Sequence, residues 1–336
     1  MAATVHRVNG VDLIALSLPV LAALSAIWAT DPHGAVPGAL HVTVLALVFI
    51  AARRIKSFTP FLWAAVVGLL ATIVGHIAYP AYYGGWGNEN FATLFVIAAV
   101  PLAVHLRGVG MAVGALAVVY LFSINESRLD LAAVAGWLAC WFLLTPWTRR
   151  KWLALGCVVI GFAVVAYAVL QRDVTGWAYR VEMWQTAWNM FLHSPWLGRG
   201  MGGFETDYLT FVSGRQDVIY NTVYTPGSAH GDWLQLIAEL GAAGAVWLLT
   251  VGVVLPFHRR SADSPVWPWY ALFGIFACAL VDFPFQLPAT ALIVAVSLGA
   301  LCPVRDAHRP VGYVGPVLTA LAVCGLVWAS GMALWG

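Results

Sequence analysis

Apolar runs of about twenty residues recur along this chain and dictate what it can fold into. A helix needs about 20 apolar residues to cross the ~30 Å hydrocarbon core of a bilayer. Eleven segments qualify, so the pattern predicts an all-α integral membrane protein, a polytopic bundle of about 11 (10–12) transmembrane helices. The predicted spans are residues 11–30, 35–52, 58–78, 91–106, 108–124, 129–147, 152–170, 231–257, 266–283, 288–303 and 313–335.

The composition agrees with a lipid environment and excludes other classes of protein. Hydrophobic residues make up 61% of the 336 positions and charged residues 10%, whereas soluble domains carry about 25% charged residues. An ordinary cytosolic enzyme, a disordered chain and a nucleic-acid-binding domain are excluded, so the bilayer is an expected partner and nucleic acid is not. The five cysteines lie in or beside apolar runs, which predicts core residues and no disulfide framework.

The basic residues predict the orientation of the bundle. With the N-terminus in the cytoplasm, 12 of the 17 arginines and lysines fall in inner loops, as the positive-inside rule requires. The five on the outer side are Arg128, Arg172, Arg180, Arg199 and Arg215.

This topology divides the chain into three parts. Residues 1–170 form an N-terminal bundle of about seven helices, residues 171–230 a large outer loop between the seventh and eighth spans, and residues 231–336 about four C-terminal helices. Loops of this length without a role are uncommon. The outer loop either lies at the membrane interface and only covers the bundle, or it covers a functional site.

The outer loop begins with a predicted amphipathic helix from Trp177 to His193. One apolar face carries Val181, Trp184, Trp188 and Phe191 at spacings of three or four. Aromatic residues on such a face indicate a helix lying along the membrane surface. The stretch from Pro195 to Gly203, with four glycines and a proline, then ends it.

Two outer arginines are candidates for binding an anion. Arg128 lies in a turn of a few residues, at the lipid–water boundary, and either faces the bundle or pairs locally with Glu126 or Asp130. Arg180 lies one turn before Trp184, and its alternative is a solvated surface arginine. The planar guanidinium is suited to a two-pronged grip on phosphate oxygens. For the other three outer arginines we favour a surface role.

The segment from Ser228 to Gly244 carries the most informative polar residues. His230 falls at the outer mouth of the eighth span, where a neutral imidazole could accept a proton; the alternative is a histidine that caps or braces the helix. Glu239 lies roughly 13 Å deeper, and we expect it to hydrogen-bond inside the bundle. Gly241 and Gly244 predict a close helix contact.

Metal ligation is not predicted. Glu205 and Asp207 have the spacing of the carboxylates in a metal-dependent glycosyltransferase, and Asp31 and His33 could add ligands. Neither pair has a second cluster in register, so we expect no metal and no cofactor.

The order of these motifs resembles the O-antigen ligase and polymerase superfamily over about residues 85–300. The matching motifs are Gly87-Asn88-Glu89-Asn90, Ser127-Arg128, Arg180-x-x-x-Trp184, Pro195-x-x-Gly198-x-Gly200 and His230-x-Asp232-x-Leu234-Gln235-x-x-x-Glu239-x-Gly241. The resemblance implies metal-independent glycosyl transfer at the periplasmic face of the bacterial inner (cytoplasmic) membrane. The donor would be a glycan on undecaprenyl diphosphate and the acceptor a sugar hydroxyl of a glycan or glycolipid.

The resemblance also implies roles for residues. Arg128 and Arg180 would bind the diphosphate, and His230 would be the general base. The supporting candidates are Asn88, Asn90, Asp232 and Glu239. The family often has Asn or Ser where Gly231 stands here, which leaves the acceptor open.

The acceptor and two other classes of function remain open at this point. Ligation to a glycolipid, polymerisation of repeat units and protein O-glycosylation share the donor chemistry. A transporter of a lipid-linked or anionic solute would use the same arginines, but should have paired broken helices and ionisable groups near the midplane. The polar residues are concentrated at one mouth, which favours the enzyme. A non-catalytic assembly partner would tolerate loss of His230.

Overall fold

The computed structural model describes residues 9–123, 129–144, 174–212, 225–257 and 265–304. Within these ranges every regular element is helical, which agrees with the predicted all-α class. The helices are α1 (Gly10–Ser25), α2 (Ala35–Ala52), α3 (Thr59–Ala78), a 3-10 helix (Pro80–Gly85), α4 (Glu89–His105), α5 (Gly108–Ser123), α6 (Leu129–Leu144), α7 (Val174–His193), α8 (Gly203–Phe211), α9 (Asp232–Phe257), α10 (Trp267–Ala279) and α11 (Pro288–Leu301).

The described helices coincide with nine of the eleven predicted spans. The other two, residues 152–170 and 313–335, lie outside the described residues. By length and composition α2, α3 and the Asp232–Val251 part of α9 can cross a membrane, and the remaining bundle helices are shorter and apolar. At 20 residues α3 is ~30 Å long, the thickness of a hydrocarbon core. The number of crossings and their direction stay predictions.

The main core surrounds α4. Its residues from Ala92 to Val100 are all buried, as expected of a helix that is apolar all round. The helices packed around it are α3, α5, α6, α10 and α11. On α6, a Cβ added to Gly136 would lie 2.2 Å from the Phe273 carbonyl oxygen of α10, so the missing side chain lets these two backbones touch.

A second, smaller core lies where α7 and α8 pack on the first turns of α9. It contains Met183, Ala187 and Met190 of α7, with Phe204 and Tyr208 of α8. The face that α7 buries is therefore not the one carrying Trp188, which is 46% exposed. The difference arises because α8, which hydropathy did not predict, covers the Met183 side of α7. On the predicted aromatic face Trp188 is left at the surface, whereas Trp184 and Phe191 are partly buried against this core.

Helix α9 is interrupted at Gly241, whose φ of 61° and ψ of −146° are not helical. The segment 195–202 enters the break and bonds with the backbone groups that it frees. These hydrogen bonds run from Arg199 N–H to the Ala238 carbonyl (3.1 Å), from Gly200 N–H to the Glu239 carbonyl (2.8 Å) and from Ala242 N–H to the Pro195 carbonyl (2.8 Å).

The expectation that Gly241 and Gly244 serve helix–helix packing is therefore wrong for Gly241. Its lack of a side chain admits the segment 195–202, since an added Cβ would lie 2.6 Å from Gly198 N. Gly244 does make a close contact, but with the preceding half of its own helix, at the Leu236 carbonyl oxygen.

Replacing Gly198 with alanine is expected to destabilise the protein by about 3 kcal/mol or more, through a left-handed backbone and a steric clash. Gly198 has a φ of 69°, and an added Cβ would lie 2.3 Å from the Glu239 carbonyl oxygen. Gly85→Ala is the matched control, because Gly85 has a φ of 91° but open space around its Cβ position. Thermal unfolding of the purified variants checks this. Equal melting temperatures would contradict the docking of this segment.

The same outer layer is tied to the turn between α1 and α2. The indole N–H of Trp28 donates to the Leu197 carbonyl at 3.0 Å, and Met201 N–H donates to Ser25 Oγ at 2.9 Å. The contacts therefore bring together segments that the predicted topology assigns to the outer side.

An ion cluster lies at the opposite end of the bundle. Asp12 on α1 pairs with both Arg53 and Arg54 at the end of α2. Arg53, which is 2% exposed, also donates from Nε to the Cys302 carbonyl at 2.7 Å. This cluster joins three helix ends that the topology assigns to the inner side, and its arginines have structural partners.

Candidate functional site

His230 lies in the short segment before α9, next to a buried carboxylate. Its Nδ1 is 3.4 Å from Asp282 Oδ1. The histidine side chain is 25% exposed, whereas that of Asp282 is fully buried. Because the carboxylate lies at Nδ1, the other ring nitrogen, Nε2, is the one left for a substrate. A partly exposed imidazole backed by a buried carboxylate can accept a proton and stabilise the resulting cation.

Aromatic rings pack around this pair. The Phe283 ring meets the imidazole edge-on, with 4.8 Å between centroids, and Phe91 meets Phe283 in the same way at 5.8 Å. Phe91 belongs to the first turn of α4, so the start of α4 lies beside the site. Asn88 caps this helix by accepting the Asn90 N–H at 2.8 Å. The supporting role of Asn88 and Asn90 stays a prediction.

Asp232 does not orient the imidazole but holds the turn that carries Asp282. Its Oδ2 accepts the Phe285 N–H at 2.8 Å, and its Oδ1 accepts from Gln286 Nε2 at 3.3 Å. On the other side of the turn, the imidazole of His41 on α2 lies 2.8 Å from the Phe285 carbonyl oxygen. The first turn of α9 therefore fixes where the Asp282 carboxylate lies.

Gln235 and Glu239 continue this network into the bundle. Gln235 Oε1 accepts from Ala229 N–H and from Gln286 Nε2, both at 2.9 Å. Gln235 Nε2 donates to Glu239 Oε1 at 3.0 Å, and Phe204 N–H donates to the same oxygen at 3.4 Å. Glu239 is 3% exposed. The prediction that Glu239 hydrogen-bonds inside the bundle is confirmed.

The helix that carries Arg180 contacts His230. Four residues further along α7, about 6 Å along the axis, the indole N–H of Trp184 donates to the His230 carbonyl at 2.9 Å. Arg180 Nε is buried and has no hydrogen-bond partner among the described residues. A buried donor of this kind is suited to an anionic ligand. Arg128 lies outside the described residues, so its convergence with Arg180 stays a prediction.

Arg199, by contrast, is engaged within the protein. Its Nε donates to Asp207 Oδ2 at 2.6 Å and its Nη2 to Thr30 Oγ1 at 3.1 Å. Thr30 Oγ1 in turn donates to Asp207 Oδ2 at 3.1 Å. These bonds tie α8 to the turn after α1, so both Arg199 and the carboxylate of Asp207 have structural partners. Arg172 and Arg215 lie outside the described residues.

Tyr208 is a buried polar side chain of the outer layer but is unsuited to be a base. Burial, together with the nearby Glu182 carboxylate, raises the pKa of Tyr208 to about 12. The phenol therefore stays neutral at physiological pH. His230 remains the candidate base of this region.

Sequence reasoning did not single out Asp282. It lies 52 positions after His230, and the two meet only because the turn after α10 packs on α9. One signal was present: Asp282 is an acidic residue at the outer end of the predicted span 266–283, on the same predicted side as His230. An ionisable group in that position indicates a functional site.

One protein family matches the chain. Residues 93–249 match a family model described as O-antigen ligase. The matched region runs from α4 into α9, and it includes Arg128, Arg180 and His230. No curated protein matches the chain. The resemblance predicted from the order of the motifs is confirmed by this match.

Proposed function

Because residues 93–249 match the O-antigen ligase family model, we propose that the protein transfers a glycan from undecaprenyl diphosphate to an acceptor sugar hydroxyl. The match supports an O-antigen ligase/polymerase-type membrane enzyme. The transfer reaction, its periplasmic location and the residue roles are the proposal. The observation that carries the proposal is the pairing of His230 with Asp282. His230, just before α9, is partly exposed, and the Asp282 carboxylate beside it is buried.

In the proposed reaction the acceptor hydroxyl attacks the anomeric carbon of the donor sugar. The new glycosidic bond forms as the bond to the diphosphate oxygen breaks, and undecaprenyl diphosphate leaves. His230 takes the hydroxyl proton at Nε2, and the Asp282 carboxylate, 3.4 Å from Nδ1, stabilises the imidazolium that results. His230 later returns this proton to solvent.

Negative charge develops on the diphosphate as it leaves, and fixed cations at that point stabilise it. Arg180 is assigned to this role because its buried Nε is unpartnered among the described residues and its helix contacts His230 through Trp184. Arg128 is assigned from the family motif. Two guanidinium groups would take the place of a metal ion in neutralising the leaving group.

The hydrogen bonds of α9 support this arrangement without taking part in it. Asp232 and Gln286 fix the turn that carries Asp282, while Gln235 fixes the Ala229 peptide before His230. Glu239 links this network to the start of α8 through Phe204 N–H. We assign Asp232 and Glu239 to positioning.

A transporter shares one feature with the described part of the chain, the broken helix α9. In transporters such breaks line the substrate cavity near the midplane. Here the backbone groups freed at Gly241 are bonded to the segment 195–200. The break therefore serves to dock the outer layer, which favours the enzyme.

The test is a transfer assay with the purified protein in liposomes. We expect release of undecaprenyl diphosphate from a glycan-linked donor, with no loss of rate when EDTA is added. A polymerase needs only the donor, which also serves as acceptor, whereas a ligase needs lipid A–core and a protein glycosyltransferase needs a protein acceptor. Movement of the lipid-linked glycan across the bilayer, with no release of undecaprenyl diphosphate under any of these conditions, would favour the transporter and refute the proposal.

A further inference from the structure

We propose that Trp184, seated against Gly231, is a positioning residue that holds His230 in a strained backbone conformation and couples the donor-binding helix α7 to the base. This inference rests on the proposed function, because it assigns to Trp184 an effect on His230 as the base. Trp184 acts through His230 and is assigned no contact with a substrate.

The backbone of His230 is the first observation. Its φ of 48° is in the left-handed region, and among the described non-glycine residues only Arg107 shares a positive φ. A residue with a Cβ adopts this region at a cost, so its surroundings must hold it there. Strain of this kind is concentrated at functional sites.

Hydrogen bonds on both sides of His230 hold this conformation. The indole N–H of Trp184 donates to the His230 carbonyl at 2.9 Å. On the other side, the Ala229 N–H donates to Gln235 Oε1 at 2.9 Å. Gln235 is part of α9 itself, so Trp184 is the anchor that comes from another helix.

The space for the indole depends on Gly231. A Cβ added there would lie 3.2 Å from Trp184 Nε1, which is tighter than an ordinary van der Waals contact. Gly231 has no positive φ, so its role is to leave room for Trp184 and not to permit an unusual backbone. The glycine at this position is thereby explained by the close approach of the indole.

Helix α7 gives the contact its functional meaning. Arg180 and Trp184 are four residues apart and share one side of the helix. Arg180 has the unpartnered buried Nε, and Trp184 bonds to the peptide of His230. A diphosphate that fixes Arg180 therefore also fixes the indole that sets the direction of the imidazole toward the acceptor.

The test compares Trp184→Phe with Trp188→Phe. The first removes the indole N–H and keeps an aromatic ring, and the second changes an exposed tryptophan one turn further along the same helix. For Trp184→Phe we expect kcat to fall roughly 10- to 100-fold, while KM for the donor changes less than about twofold. The acid limb of its kcat–pH profile should also flatten. Turnover that proceeds without help from a misaligned imidazole does not depend on whether that imidazole is protonated. Trp188→Phe should behave as the wild type.

Gly231→Ala provides a second variant that keeps the indole N–H but takes its space. We expect a fall in kcat of the same kind, and a double variant no worse than the poorer single variant, because both changes break one contact. Wild-type kcat and pH profile in Trp184→Phe would overturn the proposal. So would a lower melting temperature together with an unchanged pH profile, which indicates a structural role only.

Failure of this inference is distinguishable from failure of the proposed function. If His230→Gln is inactive but Trp184→Phe is normal, only the positioning role is refuted. If His230→Gln retains wild-type turnover, His230 is not the base, and both proposals are refuted.

Discussion

Replacement of His230 by glutamine is expected to reduce the transfer rate by roughly 100- to 10,000-fold, the contribution of a general base. Glutamine keeps a hydrogen-bonding side chain beside Asp282 but cannot take up the proton of the acceptor hydroxyl. Donor binding should stay close to that of the wild type, because the diphosphate is assigned to the arginines. Initial rates of undecaprenyl diphosphate release, with donor affinity measured separately, check the prediction.

A pH profile separates a base from a structural histidine. Wild-type turnover should fall on acidification, because a protonated imidazole cannot accept a proton. The residual activity of His230→Gln should lack this limb. His193→Gln is the matched control, since His193 is exposed on α7, where its side chain bonds to Ser194 and its ring contacts Phe211. A His230→Gln variant with wild-type turnover and wild-type pH dependence would end the assignment.

Removal of either arginine proposed to bind the diphosphate is expected to have the largest effect. Arg180→Ala and Arg128→Ala should each lower the transfer rate roughly 1,000-fold or more, since charge on the leaving group would be left without its fixed cation. Both proteins should still insert in the membrane. Lysine at either position should restore little, because a point charge does not reproduce the two-pronged contact of a guanidinium.

Arg199→Ala is the control for this pair. Arg199 is also an outer arginine, but it is bound to Asp207 and Thr30, so its loss should lower the melting temperature and leave donor affinity unchanged. Binding of undecaprenyl diphosphate to the reconstituted proteins distinguishes the two effects. Full activity of an alanine variant at 128 or 180 would remove that arginine from the site. A structure with the two guanidinium groups on opposite sides of the bundle would have the same meaning.

Most of the helical architecture could be predicted because hydropathy is a local property. Every predicted span in the described ranges coincides with a helix, and α2 has the predicted bounds of 35 and 52. The boundaries moved where capping decides them. For example, α4 begins at Glu89 because the Asn88 side chain caps it, two residues before the apolar run starts.

The outer layer was harder to predict from the sequence. The helix α7 was predicted within three residues of its start, but its buried face was not. Trp184 and Trp188 have the larger side chains, yet α8 packs on the side of Met183 and Met190, and Trp188 is left exposed. Which face a helix buries depends on its neighbours, and a helix of nine residues such as α8 leaves a weak pattern in the sequence.

The sequence by itself determined the membrane bundle, the outer position predicted for the site, and the residue types able to bind a diphosphate and accept a proton. These follow from apolar length, from the distribution of arginine, and from the chemistry of single side chains. Only the tertiary structure decided the partners. Asp282 reaches His230 because Asp232 holds its turn, and the break at Gly241 is stable because the segment 195–200 bonds with it. Contacts between residues that lie 39 to 53 positions apart depend on how helices pack, and no local pattern encodes that packing.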